Sequence, residues 1–107
     1  MASKAEFSRV FDQPDKTTGY CFAVLARTNG LSYPRLGLAI SRKAVPLAIA
    51  RNRVKRLVRE SFRCHQQVLG GVDIVVVSRS GVAERPSAVI FKSLEQHWQE
   101  LSGMSKR

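Results

Sequence analysis

Between positions 51 and 63 the chain reads Arg-Asn-Arg-Val-Lys-Arg-Leu-Val-Arg-Glu-Ser-Phe-Arg, and the spacing of these cations is what could do chemistry. On a helix, at about 100° per residue, Arg51, Lys55, Arg59, Asn52, Arg63 and Arg56 follow one another around an arc of about 140°. Leu47, Ala50, Val54, Leu57, Val58 and Ser61 fill an adjoining arc of about 100°, the face such a helix turns to its core. The chemistry a basic stripe supports is phosphate binding, and arginine's planar fork grips two phosphate oxygens at once. Asn52 both donates and accepts, so it either reads a 2′-hydroxyl or base edge or pins the helix to a neighbouring loop. Arg53 falls on the far side of the core arc, where an acid of the protein competes with RNA for it.

A charged helix face is most often only a solvated surface, but the energetics here argue otherwise. Arg51/Lys55, Lys55/Arg59 and Arg59/Arg63 are like charges four residues apart, each pair unfavourable by about 0.2 to 0.5 kcal/mol, with Arg56/Glu60 as the clearest offset. Residues 42–63 carry eight of the 18 basic side chains and one acid. A stripe selected for stability would alternate signs. Nucleic-acid binding follows from this focus of charge before any family is considered.

The whole chain points the same way. Its 107 residues allow one domain with one modest core, and 18 basic against 8 acidic groups give a net charge of +10, which favours polyanionic partners. No apolar run is long enough to span a bilayer, and Met1 to Phe11 lacks a secretory signal's apolar stretch, so a cytoplasmic protein without a membrane partner is expected. Cys21 and Cys64 are too far apart for a zinc knuckle or redox pair and read as reduced thiols. His65 and His97 have no partners at metal-ligand spacing and read as helix-surface residues. No two of the eight acids form a recognisable metal-binding or acid/base motif, so no protein-only active site is expected.

The elements that position the stripe can be read from period and punctuation. Ser3 to Phe11 reads as a short helix with Phe7, Val10 and Phe11 on one side. Tyr20 to Ala26 reads as a strand, and Arg35 to Ser41 as a second, antiparallel to it, with Leu36, Leu38 and Ile40 on one face and Gly37, Ala39 and Ser41 on the other. Pro46 to Leu69, closed by Gly70-Gly71, reads as one long helix. Val72 to Val77 is a β-branched run around Asp73, a central strand covered on both faces. Ile90, Leu94, Trp98 and Leu101 share a stripe of a closing amphipathic helix.

The string from Arg51 to Arg63 resembles the signature helix of the bacterial ribonuclease P protein family. Phe7-Ser8-Arg9-Val10-Phe11 is similar to that family's first helix, Arg35 to Lys43 to the strand before the signature, and Asp73 to Val77 to the strand after it. The resemblance implies an α/β (α+β) two-layer sandwich in the order αβββαβα, ribosomal protein S5 domain 2-like, as a single domain over 1–107. An additional short strand would fall near Lys16 to Thr18, and a left-handed βαβ crossover, a rare hand, would run through the basic helix. It further implies the accessory subunit of an endoribonuclease whose catalyst is RNA and which removes the 5′ leader from precursor tRNA. Arg51, Asn52, Lys55, Arg56, Arg59, with Arg53 and Arg63, would contact the catalytic RNA. Phe7 and Phe11, with Ser41, Arg42 and Lys43, would help form a cleft for the single-stranded leader, where aromatic stacking grips bases without regard to sequence; core packing is the alternative for both phenylalanines. Mg²⁺ would be required by the holoenzyme and held mainly by RNA, with no metal bound stably by the protein, present as one monomer per RNA. Leu25 departs from the family where some relatives have an aromatic, and Val45-Pro46-Leu47 is more apolar than usual.

Two other classes compete. A structural RNA-binding protein such as a ribosomal protein shares the basic helix and small α/β body, and composition does not separate them. A DNA-binding helix-turn-helix needs a short turn and a paired helix, which the unbroken stretch from Pro46 to Leu69 does not offer.

Overall fold

The computed structural model of the protein describes residues 10–11 and 15–102, so the predicted first helix lies outside the described residues except for Val10 and Phe11. Four strands, β1 (Asp15–Thr18), β2 (Phe22–Thr28), β3 (Arg35–Ala39) and β4 (Val72–Ser78), form one sheet in the order β1-β2-β4-β3. β2 pairs antiparallel with β1 and β4, whereas β3 runs parallel to β4, Arg35 opposite Asp73 and Ala39 opposite Val77. β3 therefore does run against β2, as its sequence suggested, but β4 lies between them. The 22-residue helix α1 (Ala48–Leu69) supplies the crossover that a parallel neighbour requires.

Helix α1 begins two residues later than Pro46 suggests. Leu47 is still extended, at φ −83° and ψ 130°, and its side chain is 71% exposed; it does not join the core face, because it precedes the helix on which the wheel placed it. Gly70 ends the helix at φ 65°, a left-handed conformation that a side chain would strain. β4 is buried almost throughout, as its β-branched run requires.

The core lies between one sheet face and two helices. Phe22, Val24 and Ala26 of β2 and Val72, Ile74 and Val76 of β4 pack against Val54, Leu57 and Val58 of α1 and against Ile90, Leu94 and Trp98 of α2 (Ser87–Leu101). The helices meet where the Trp98 indole donates to Ser61 Oγ at 2.8 Å, with Phe62 edge-on to the indole at 6.1 Å. The opposite sheet face carries a smaller cluster in which Val10 packs on Leu25 and Val75, flanked by Ala39 and Val77.

Two polar groups sit inside this frame. Asp73 is fully buried and takes both arms of Arg35 at 2.7 Å, while Asn29 Nδ2 donates to it at 3.0 Å. His97 is not on the surface as its sequence context suggested: it is buried, its Nδ1 bonded to the Thr17 hydroxyl of β1. Burial holds its imidazole below the usual histidine range, against a smaller opposing pull from Glu100.

Candidate nucleic-acid interface

Helix α1 turns Val54, Leu57, Val58, Ser61 and Leu69 inward and leaves its cations on the outside. Asn52, Arg56, Arg59 and Arg63 are exposed, and Lys55 is half-buried at the margin of the core face. Glu60, expected to offset Arg56, instead pairs with Arg63 at 2.6 Å one helical turn away, and that guanidinium holds the Glu60 carboxyl below its ordinary range. With its one acid turned to the stripe's far edge, the helix presents Lys55, Arg56 and Arg59 with no carboxylate among them.

The two ends of the Arg51-Asn52-Arg53 triplet do different work from its middle. Arg51 folds back along the entry to the helix, where its Nη1 donates to the carbonyls of Val45 and Pro46 at 3.0 and 2.8 Å. These bonds hold a segment whose helix start has no side-chain cap. Arg53 points to the other flank and donates to Ala83 O at 3.3 Å, Arg85 O at 3.1 Å and Ser87 Oγ at 3.1 Å. The competition foreseen for Arg53 is thus met by neutral oxygens of the 3₁₀ turn (Val82–Glu84) and the start of α2, not by an acid. Of the predicted RNA contacts, the structure gathers Asn52, Lys55, Arg56, Arg59 and Arg63 on one open face and ties Arg51 and Arg53 to the protein.

The residues predicted for a leader cleft are placed less completely. Phe7 lies outside the described residues. Phe11 is 48% exposed beside Val10, at the sheet face opposite the two helices. Ser41, Arg42 and Lys43 are exposed in the turn after β3, where the Ala44 N–H donates to Ser41 Oγ at 3.1 Å and the Ser41 N–H to Ser78 Oγ at 3.3 Å. This turn also borders an open depression of about 570 Å³ at the carboxyl ends of β3 and β4, which brings Lys43 together with Tyr20, Arg79 and Arg85. The last three were missed from the sequence, because Tyr20 comes from the connection before β2 and Arg79 and Arg85 from the one after β4; a cation on each side of Gly81 and a tyrosine after Gly19 were the available signals.

Among the described residues no three His, Cys, Asp or Glu side chains group to hold a metal ion, and no helix is long and apolar enough to cross a membrane. Asp73, the one buried carboxylate among the described residues, is engaged by Arg35 and Asn29. The donors among the described residues therefore do not fit a Mg²⁺ site.

The model of the family Ribonuclease P matches residues 1–102. The chain belongs to the ribonuclease P protein family. The ribonuclease P protein component of Methylococcus capsulatus is 49% identical over 98 residues, covering 92% of this chain and 77% of that one. That of Pseudomonas putida is 47% identical over 103 residues, covering 95% and 77%. Among solved structures, the ribonuclease P protein of Staphylococcus aureus superposes with a TM-score of 0.84 at 28% identity, over 95% of this chain and 93% of the other. That of Thermotoga maritima also reaches 0.84, at 33% identity over 92% and 96%. This chain is thus a protein component of ribonuclease P, the endoribonuclease of tRNA 5′ processing in which RNA is the catalyst. The geometry is compatible with that division of labour: among the described residues the one buried carboxylate, Asp73, holds β3 to β4 through Arg35.

Proposed function

We propose that α1 is the protein's grip on the catalytic RNA of ribonuclease P, through Asn52, Lys55, Arg56, Arg59 and Arg63, and that precursor tRNA is met on a different surface. The observation that carries this is the open face of α1, where Lys55, Arg56 and Arg59 follow one another with no carboxylate among them and neighbouring like charges repel, while Glu60 pairs with Arg63 at its edge. RNA phosphates relieve that repulsion, and bound counterions released to solvent drive the association. Arg51 and Arg53 support the grip by fixing the ends of the triplet, so that Asn52 is held between them with its amide outward.

The 5′ leader passes along the sheet face opposite the helices, beside Phe11, towards Ser41, Arg42 and Lys43. The exposed ring of Phe11 and the small residue Ala39 on that face leave room for unpaired bases, and the two cations supply charge for their phosphates. Mg²⁺ in the holoenzyme is held mainly by RNA. The protein acts as one monomeric domain per RNA, in the cytoplasm.

Reconstitution tests this reading. The protein added to catalytic RNA at low Mg²⁺ should accelerate removal of the leader, and alone should leave precursor tRNA intact. Its affinity for the catalytic RNA should fall steeply with salt, with a log-log slope of about −4 if some five phosphates are neutralised. A nearly flat salt dependence refutes the α1 interface, and cleavage by RNA-free protein refutes the accessory role.

A further inference from the structure

We propose that the depression at the carboxyl ends of β3 and β4, with Tyr20 and Arg85 as its wall, is a subsite for one unpaired RNA nucleotide, separate from the α1 stripe and from the opposite sheet face. The proposal rests on the ribonuclease P reading for its ligand and shares Ser41 and Lys43 with the proposed path of the leader, while Tyr20, Arg79 and Arg85 are additional to that reading.

Three cations converge there from two connections, Lys43 from the one after β3 and Arg79 and Arg85 from the two ends of the one between β4 and α2, and no acid lines the space between them. Like charges brought around a common hollow by separate loops repel one another, so the arrangement favours an anion in the hollow. Ser41 adds a donor, because its Oγ already accepts from the Ala44 N–H and its proton is left to give.

Tyr20 supplies the second half of a nucleotide site. Its ring is 74% exposed, yet it is presented from a fixed turn: Cys21 beside it is buried, the Gly19 N–H donates to Phe22 O at 2.9 Å, and the Arg79 N–H donates to Cys21 O at 3.0 Å. The Arg79 side chain closes the same turn by donating to Gly19 O at 3.0 Å. The Arg85 guanidinium lies over the ring, 4.2 Å from its centre, covering one face by a cation–π contact. Arg85 is itself anchored, since its carbonyl accepts from Arg53. A base stacked on the free face of Tyr20 would complete a layered arrangement whose first layer is already in place, and its phosphate would fall to the cations.

The shape points to a strand and not to a free anion or a small cofactor. The depression is open, and Tyr20 also borders a second hollow of about 240 Å³ lined by Val89, Lys92 and Gln96 of α2. The surface continues past the tyrosine for more than one phosphate and keeps a cation on each side of the ring. The strand is either the leader of precursor tRNA or an unpaired segment of the catalytic RNA.

The test uses the reconstituted holoenzyme with Tyr20→Ala, Tyr20→Phe and Arg85→Gln. Three affinities are measured across a salt series: for precursor tRNA with leaders of increasing length, for mature tRNA, and for the catalytic RNA without tRNA. Tyr20→Ala should weaken binding about fivefold or more with an unchanged salt slope, Tyr20→Phe should restore it, and Arg85→Gln should reduce the slope by about one. A loss that appears only with longer leaders assigns the subsite to the leader; a loss against catalytic RNA alone assigns it to that RNA. Wild-type binding to catalytic RNA is scored first: its absence refutes the α1 reading, whereas its presence with all three variants indistinguishable from wild type refutes the subsite alone.

Discussion

Arg53 and Arg59 lie six residues apart on one helix, and neutralising either removes one positive charge, yet the structure assigns them opposite consequences. Arg59 is exposed on the open face of α1, whereas the Arg53 guanidinium makes three hydrogen bonds to the segment 83–87. Arg59→Gln should therefore leave stability within about 0.5 kcal/mol of wild type, and should reduce the log-log salt slope of binding to the catalytic RNA by about one. Arg53→Gln should leave that slope unchanged. Its cost is to folding: net values near 1 kcal/mol per bond, discounted because the acceptors are part-exposed and water can replace the donor, give a loss of about 2 kcal/mol. For a domain of this length that is a fall in Tm of roughly 10 °C. Thermal unfolding and salt-dependent binding on the same two variants separate the cases. A slope reduced equally by both substitutions, with Arg53→Gln as stable as wild type, would refute the division of the triplet into a support and a contact.

Three further outcomes follow from buried polar groups. Asp73→Ala removes the buried carboxylate that Arg35 and Asn29 share at the β3–β4 seam and should cost about 3 kcal/mol in denaturant unfolding; a loss under 1 kcal/mol would mean that the pair contributes no more than an exposed one. Ser61→Ala leaves the buried Trp98 indole N–H without its acceptor and should cost about 1 to 3 kcal/mol, whereas Ser61→Thr, which keeps the hydroxyl, should cost less by the same assay. His97 has its folded pKa below the unfolded value near 6.5, so the unfolded chain binds more protons, and stability present above about pH 6.5 should decline as pH falls below it. His97→Gln should flatten that part of the profile, and an unaltered decline would assign it to other groups.

How much of this was legible in sequence depends on whether the determining interactions are local. The ends of α1 were marked by Pro46 and Gly70 to within two residues, and the burial of β4 by its β-branched run, because both signals reside in the segment itself. Alternation along β3 gave its faces but not its neighbour, since pairing with β4 becomes possible only once α1 has returned the chain. His97 was misplaced by its residue type: on the wheel it falls about 20° beyond Ile90, at the edge of the apolar stripe of α2, where a polar side chain can be covered by a neighbouring element. The stripe was read correctly as a face, while the inward turn of Arg51 and Arg53 depended on carbonyls of loops whose paths the sequence does not specify. Tyr20 meets Arg79 and Arg85 only through the sheet, so no spacing could have joined it to them.

The carbonyl of Arg85 that accepts from Arg53 joins two parts of the surface that would otherwise be independent. One guanidinium on α1 holds the backbone of the residue that covers Tyr20, so the cationic ridge and the tyrosine wall are tied into one frame. Such a frame behaves as a gauge: the separation between its two grips is set by the protein, and RNA strands lying across it must adopt that separation. Variants that loosen Arg53 would blunt the gauge without removing either grip, and would show as tolerance for misplaced strands in place of weaker binding to correct ones.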